Sequence, residues 1–307
     1  MNEIKFKEPS KILFIKLGVK GFWEKECIEG NLLHFGYSGT NHQDCLNGNY
    51  ESVEKHFADR KIDKGATTRH INQIKDFYDS DENVLWITFY AKKMWWCFSK
   101  KEVKSLDDNT KIRPVIGMWS DKDLLGNQLS FDKISGKLLK VQGFQGTICS
   151  VNDKEYALNK IKGIEAKEVI NVKETLKTLK ENIVEMLKLL DPKDFEILID
   201  LIFRQGGWYR LGGIGGTEKD IDLDLLQPIT NQKYAVQIKS KSSKKEFDEY
   251  CEKFELMTQY DKFLYVIHTT ERKLETKNPK ISLLYGEEIA DLVISAGLIA
   301  WLLNKVS

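Results

Sequence analysis

The sequence lacks any pair of cysteines spaced as a redox or metal motif. Its five cysteines (Cys27, Cys45, Cys97, Cys149 and Cys251) are scattered, odd in number and without a CxxC, which argues against a disulfide framework and for reduced thiols in a cytoplasm. The grouping Cys27, His34, His42, Cys45 has the spacing of no usual zinc finger. A charge excess of one sign is also missing. With a formal net charge of +1 over 307 residues, no global basic field advertises nucleic acid, so any DNA contact must come from local patches such as Lys239 to Lys245, or Lys92-Lys93 with Lys100-Lys101. No apolar run is long enough for a bilayer. The most hydrophobic stretch, Leu292 to Leu303, is interrupted by Ser295 and Gly297 and reads as a C-terminal helix buried against a sheet. The N-terminus has no extended apolar core, so no signal peptide is expected and the localisation expected is cytoplasmic. Repeats and low-complexity segments are absent. Gly206, Gly207, Gly212, Gly213, Gly215 and Gly216 fit neither GxxxxGK[ST] nor a GxGxxG that opens a helix, because a strand follows them. Flexible backbone beside a site that DNA must approach accounts for them better.

What the sequence does contain is a pair of chemically loaded strands. In Asp220-Ile221-Asp222-Leu223-Asp224 the period of two sends Ile221, Leu223 and Leu225 to one face and the three aspartates to the other. In Val236-Gln237-Ile238-Lys239 the same rule buries Val236 and Ile238 and puts Gln237 and Lys239 opposite. If the strands pair, a carboxylate, an amide oxygen and an ammonium meet at one sheet edge. That set suits phosphodiester hydrolysis: the carboxylate holds a divalent cation, the amide carbonyl completes its shell, and the lysine activates water or neutralises phosphate charge. A half-exposed antiparallel strand with a solvated lysine edge would show the same alternation.

The ordered series Asp194-Phe195-Glu196, a Gly-rich turn, Asp222, then Gln237-x-Lys239 resembles the Mrr-type branch of the PD-(D/E)xK restriction-endonuclease superfamily, over roughly the last 120 residues. The resemblance implies a metal site of Glu196, Asp222 and Gln237 with Lys239 as the catalytic cation, and Mg2+ or Mn2+ as cofactor. Most members of the superfamily carry glutamate where Gln237 stands, so one negative charge is missing and the number of metal ions is open. Asp220 and Asp224 share the face of Asp222; Ile221-Asp222-Leu223 fits the family phrase best.

The order of elements predicts two domains. Residues 1–165 read as short strands with many turns and few helices: Ile12 to Leu17, Val84 to Tyr90, Met94 to Phe98, Leu138 to Val141 and Thr147 to Val151, with helical pieces at Tyr50 to Arg60 and Thr68 to Tyr78. This is a small curved sheet or open barrel. Residues 166–190 read as a connecting amphipathic helix, with Leu176, Leu179, Ile183, Met186, Leu187 and Leu190 at spacings of three and four, available as a connector, a packed first helix or a dimer seam. Asp191-Pro192 breaks it and caps the next helix. Residues 191–307 alternate helices and strands, which predicts an α/β layer with a mixed sheet. His268, ending one strand, reads as a structural histidine or a phosphate contact.

The N-terminal half is rich in aromatics. Alternation places Trp95 and Trp96 on opposite faces, so one of them is expected to face outward or into a pocket rather than the main core. The layout is similar to the PUA-like readers of modified bases, the group that includes EVE, YTH and SRA domains. That resemblance implies an extruded base held by Tyr90, Trp95, Trp96, Trp119, Ser120 and Asp121. Together these readings predict a type IV, modification-dependent DNA endonuclease acting on double-stranded DNA with a modified cytosine or other modified base, as a possible homodimer because one site nicks one strand. Two alternatives are a repair or abortive-defence nuclease indifferent to modification, and a non-catalytic DNA-binding module of the same fold.

Overall fold

The computed structural model describes residues 6–211, 221–270 and 272–307. Gly212, Gly213, Gly215, Gly216 and Asp220 of the sequence analysis lie outside the described residues. The chain divides into two compact units, Met1–Ala166 and Lys167–Ser307. Both are mixed α+β, the first built on a curled, half-barrel sheet and the second on a mixed sheet flanked by helices.

The first sheet contains β1 (Lys11–Ile15), β2 (Leu32–Phe35), β3 (Val84–Tyr90), β4 (Lys93–Ser99), β5 (Lys104–Ser105), β6 (Lys111–Ser120) and β7 (Ile148–Ser150), in the order β2-β6-β4-β3-β1-β7 with β5 on β6. Among the described residues of this sheet β1 and β3 run parallel and the other pairings are antiparallel. β3 reads VLWITFY, apolar almost throughout, because both of its faces are covered. Leu13, Ile15, Trp86, Cys97 and Trp119 enter one core, with Phe57, Ile74 and Phe77 of the helices Tyr50–Asp59 and Lys64–Tyr78. Ile12, Phe14, Leu85, Ile87, Trp96 and Phe98 enter another, closed by Leu158 and Ile161 of the helix Lys154–Lys162.

Two sequence expectations change here. Leu138 to Val141 is helical rather than extended. Ser135 accepts from the backbone N–H of Leu138 and caps a short helix, Gly136–Leu139, which passes into a 3-10 turn over Lys140–Gly143. β6 was not expected at all, because it carries two fully buried cations. Lys111 donates to the carbonyls of Tyr37 and Thr40, and Arg113 donates to those of Phe77, Ser80 and Lys100. Charged residues on the inner face hide a strand from any reading based on apolar alternation.

The second sheet has the order β12-β11-β10-β9-β8, from β8 (Tyr209–Arg210), β9 (Leu223–Gln227), β10 (Gln232–Ser242), β11 (Lys262–Thr270) and β12 (Ile281–Leu284). β10 pairs antiparallel with β9 and parallel with β11. The helix Pro192–Gln205 starts as expected, with Asp191 accepting from Lys193 N–H and proline in the first turn. It packs Phe195, Leu198, Ile199 and Ile202 on Leu223, Leu225, Val236 and Ile238. The other face of the sheet is covered by Phe247 and Phe254 of the helix Lys244–Glu255. The helix Lys167–Leu187, expected as a connector, a packed first helix or a dimer seam, falls within the second unit and buries Ile183 and Leu187 there; Val169, Val172 and Leu176 remain exposed. The C-terminal apolar stretch is two helices, Gly286–Ser295 and Ile299–Val306, bent by 117°. Gly297 at φ +69° supplies the left-handed residue that separates them. Among the described residues no single helix is long and apolar enough to cross a membrane.

Candidate active site

The hairpin β9–β10 fixes the central side chains. Its register places Leu223 opposite Val236, and Asp222 N–H still donates to the Val236 carbonyl at 3.0 Å. Among the described residues β9 begins at Leu223, and the backbone N–H of Ile238 meets no strand carbonyl on this side. The Asp222 carboxylate takes that place, accepting from Ile238 N–H at 2.6 Å and from Gln237 Nε2 at 2.5 Å, both through Oδ2. Asp222 is therefore held by its own backbone bond and by two donors, which preorganises the carboxylate. The expected alternation holds for Leu223 and Leu225, which share one core with Val236 and Ile238. It fails at Ile221, which packs against the opposite core because the strand has ended before it.

Gln237 is 4% exposed, and its Oε1 is buried without a hydrogen-bond partner. Buried amide oxygens are ordinarily paired, and an orphaned one beside a carboxylate invites a cation or a water. Glu196, half-buried on the helix Pro192–Gln205, lies near enough for Asp222 to act on it. Burial first, and the Asp222 charge second, raise the Glu196 carboxyl above its usual range. Burial also raises Asp222, against the lowering effects of Ile238 N–H, Lys239 and Arg210.

These directions carry a sign. A carboxyl raised in the folded state favours the protonated form, so its stabilising contribution is full at acid pH. It is lost as pH rises from the ordinary carboxylate range through the raised value. Without divalent cation, Asp222→Asn is accordingly expected to melt a few degrees above the wild type at neutral pH, the difference closing toward pH 4. Melting curves in chelator across this pH range check it. A variant that melts lower at neutral pH would show that Asp222 is held charged at no cost.

Lys239 projects from the same face of β10 as Gln237. Its Nζ lies 3.4 Å from Glu246 Oε1 and 5.1 Å from the centroid of the Tyr250 ring. Burial alone would lower the lysine, but hydrogen bonding to Tyr250 and the charge of Glu246 outweigh it and raise its pKa. Lys239 is thus a cation at neutral pH. Sequence reasoning missed Glu246 and Tyr250, although Ser243-x-x-Glu246 carries a helix-start signature: Ser243 accepts from Glu246 N–H, and Tyr250 follows one turn later on the same face. It also missed Arg210. That guanidinium, on β8, sits 3.7 Å from Asp200 Oδ1 and donates to the Asp222 carbonyl at 3.3 Å. Nothing in a Gly-rich turn announces such a contact.

Asp222 and Gln237 are therefore in direct contact at one end of β9–β10, and the charges of Glu196 and Lys239 act on the same carboxylate region. Asp224 lies opposite Ala235, two residues further along the hairpin than Asp222. Among the described residues no three His, Cys, Asp or Glu side chains cluster for a metal. The site offers two carboxylates and an amide oxygen instead, a set of hard oxygen donors that fits Mg2+ or Mn2+. His268 does not join it. Its ring packs edge-on to Phe195 with centroids 4.7 Å apart, its Nδ1 meets Thr269 Oγ1, and burial with Lys188 and Lys241 pulls its pKa down to about 4.

In the first unit the six residues expected to hold a base are not brought together. Trp96 faces one core, while Trp119, Trp95 and Tyr90 line the other. All three indole N–H groups are spent on backbone carbonyls: Trp95 on Tyr90, Trp96 on Lys122 and Trp119 on Leu32. Asp121 accepts from Lys93 and Gln128, and Ser120 donates to the Lys122 carbonyl. A cavity of about 340 Å3 lies elsewhere in this unit, lined by Phe14, Lys16, Glu24, Thr88, Phe89 and Gln142 together with Gly18, Lys20 and Gly21.

Searches of protein-family models, of curated proteins and of solved structures return no match to the chain.

Proposed function

We propose that the protein is a divalent-cation-dependent DNA endonuclease of the Mrr-type PD-(D/E)xK kind, joined to a PUA-like unit that directs it to modified DNA. The observation that carries this reading is the contact of Gln237 with the Asp222 carboxylate, with the Gln237 Oε1 buried and unpaired and the charges of Glu196 and Lys239 acting there. Asp222 and Glu196 would hold the cation, and Gln237 would turn its amide to offer Oε1. When bound, the cation would acidify a water and withdraw charge from the scissile phosphate.

The remaining work belongs to the chain. Asp222 keeps its orientation through Ile238 N–H. Lys239, braced by Glu246 and Tyr250, orients the nucleophile and offsets charge that builds on the phosphate oxygens. Its raised pKa favours this role over proton abstraction. One such site cuts one strand, so a double-strand break would take two chains. The exposed Val169, Val172 and Leu176, at coiled-coil spacing, offer a seam for a second copy.

The test is digestion of DNAs carrying 5-methylcytosine, hydroxymethylcytosine, glucosylated cytosine or N6-methyladenine beside unmodified DNA, with Mg2+ and Mn2+ compared. Selective cutting of one modified substrate supports the reading. Equal cutting of all would favour a nuclease indifferent to modification, and no cutting with either cation a binding module.

Gln237→Glu would restore a third carboxylate. Ligand charge tunes the affinity of hard-cation sites, so this variant is expected to bind Mn2+ about tenfold more tightly. It is also expected to be less stable than the wild type in chelator, because the new charge lies against Asp222. Calorimetric titration with Mn2+ and melting with and without it measure both effects; unchanged affinity would remove Gln237 from the ligand set.

A further inference from the structure

Arg210 approaches the candidate active site from the edge of the second sheet. Glu196, Asp200 and Arg204 stand one turn apart on the helix Pro192–Gln205 and form a single charged stripe. Arg210, on β8, pairs with Leu225 across the sheet, and Leu225 packs toward that helix. Directly opposed residues of antiparallel strands share a face, so the guanidinium is directed at the stripe.

Both contacts of this guanidinium are incomplete. Nη2 donates to the Asp222 carbonyl at 3.3 Å, and Nη1 lies 3.7 Å from Asp200 Oδ1, beyond hydrogen-bonding reach. Asp200 Oδ1 is accordingly without a hydrogen-bond partner although the residue is only 9% exposed, while Oδ2 is taken by Arg204 Nε at 2.9 Å. A guanidinium holds five donors in a rigid fork and grips a carboxylate or a phosphate through two of them at once. Among the described residues Arg210 has no such bidentate partner, and its side chain is 15% exposed. Asp200 keeps it at the rim of the site by charge without closing a hydrogen bond, which leaves the fork free to move.

The charge of Arg210 reaches both carboxylates offered to a cation. Burial raises the Glu196 and Asp222 carboxyls, and Arg210 is among the charges that act against that rise. A divalent cation held by the same carboxylates would lie beside a fixed positive charge, and like charges in a dry site repel strongly. Moving the guanidinium aside removes that repulsion. The anion that would move it is a phosphodiester, whose two non-bridging oxygens match the fork.

We propose that Arg210 senses phosphate: without DNA it rests between Asp200 and the Asp222 carbonyl and weakens cation binding, and a DNA phosphate draws the fork away, so that phosphate and divalent cation bind cooperatively. This rests on the cation-site reading given above and adds to it a coupling between the two ligands.

The test uses the full chain with Ca2+. Linkage makes the factor by which the cation tightens DNA equal to the factor by which DNA tightens the cation. The coupling is therefore read as the ratio of duplex affinities in Ca2+ and in chelator, by anisotropy of labelled duplexes carrying 5-methylcytosine, N6-methyladenine or no modification. Calorimetry reads Ca2+ binding to the DNA-free chain. The wild-type ratio should fall at about 5- to 150-fold. Arg210→Gln keeps a donor for the Asp222 carbonyl but no charge; it should bind Ca2+ several-fold more tightly without DNA and lose most of the ratio. Arg210→Lys keeps the charge and should return the DNA-free Ca2+ affinity to that of the wild type. Arg204→Ala removes a cation from the same Asp200 carboxylate at a distance from Asp222, and both readings should stay near wild type. A merely structural Arg210 would lower the melting temperature of the Gln and Lys variants alike and leave Ca2+ affinity unmoved.

Unchanged DNA-free Ca2+ affinity in Arg210→Gln, or an undiminished ratio in that variant, would overturn the proposal. If the ratio is found and depends on Arg210 while neither Mg2+ nor Mn2+ supports cleavage, the coupling stands and the nuclease reading falls. If DNA is cut and Arg210→Gln keeps the full ratio, the coupling alone falls. If Ca2+ binds neither the wild type nor Arg210→Gln, with DNA or without it, both fall.

Discussion

Asp222→Ala and Lys239→Ala should each reduce cation-dependent DNA cleavage by roughly 10²- to 10³-fold or more, the loss usual when a preorganised charge at a reacting centre is removed. The two variants should fail differently. Asp222→Ala removes the carboxylate that would hold the cation and strands the N–H of Ile238 and the amide of Gln237, so cation affinity should fall together with rate. Lys239→Ala leaves those bonds in place and frees only Glu246 and Tyr250, so Mn2+ binding should survive while turnover is lost. Initial rates on a nicked-plasmid assay, paired with Mn2+ titration, distinguish the two. Undiminished cleavage by either variant would remove that residue from the mechanism, and retained binding with no cutting in the wild type would favour a binding module.

Arg113→Ala should be the most damaging substitution in the first unit, by about 3–9 kcal/mol at roughly 1–3 kcal/mol for each of three stranded acceptors. The buried guanidinium donates to Phe77, Ser80 and Lys100 carbonyls at 2.6 to 2.9 Å and lies over the Trp86 and Phe77 rings. Burial pulls its pKa down to about 10, with Cys97, Asp81 and Glu82 acting in the opposite direction. It stays charged at neutral pH. Such a loss is a large part of an ordinary domain's stability of about 5–15 kcal/mol, so the first unit should unfold in much less urea than the second. Two separated transitions, one shifted and one unshifted, are the expected outcome. A single unshifted transition would mean that water replaces the guanidinium without cost.

Much of the second unit is legible in the sequence because its chemistry follows local rules. Asp191-Pro192 starts a helix wherever it occurs in this context, and alternation in Leu223 to Leu225 and Val236 to Lys239 sorts side chains between faces before any partner is known. The first unit is less legible. Its strands are buried on both faces, so Trp95, Trp96 and Trp119 read as available rings although each indole N–H is already spent on a carbonyl. Such partners are distant in sequence: Trp119 reaches Leu32, and Arg113 reaches Phe77. The cavity beside Phe14 and Phe89 is invisible for the same reason, since its walls come from three separated segments.

By itself the sequence determined some local outcomes: where the helix after Asp191 begins, and that Gln237 and Lys239 share a face. Those follow from backbone geometry and capping, which act over a few residues. The strands Tyr209–Arg210 and Ile281–Leu284 and the break between the last two helices were not legible in it. Only the tertiary structure decided that the Asp222 carboxylate, rather than a strand, satisfies Ile238 N–H. It alone brought Glu196, Arg210, Glu246 and Tyr250 around that point, because burial and charge depend on what surrounds a group in space.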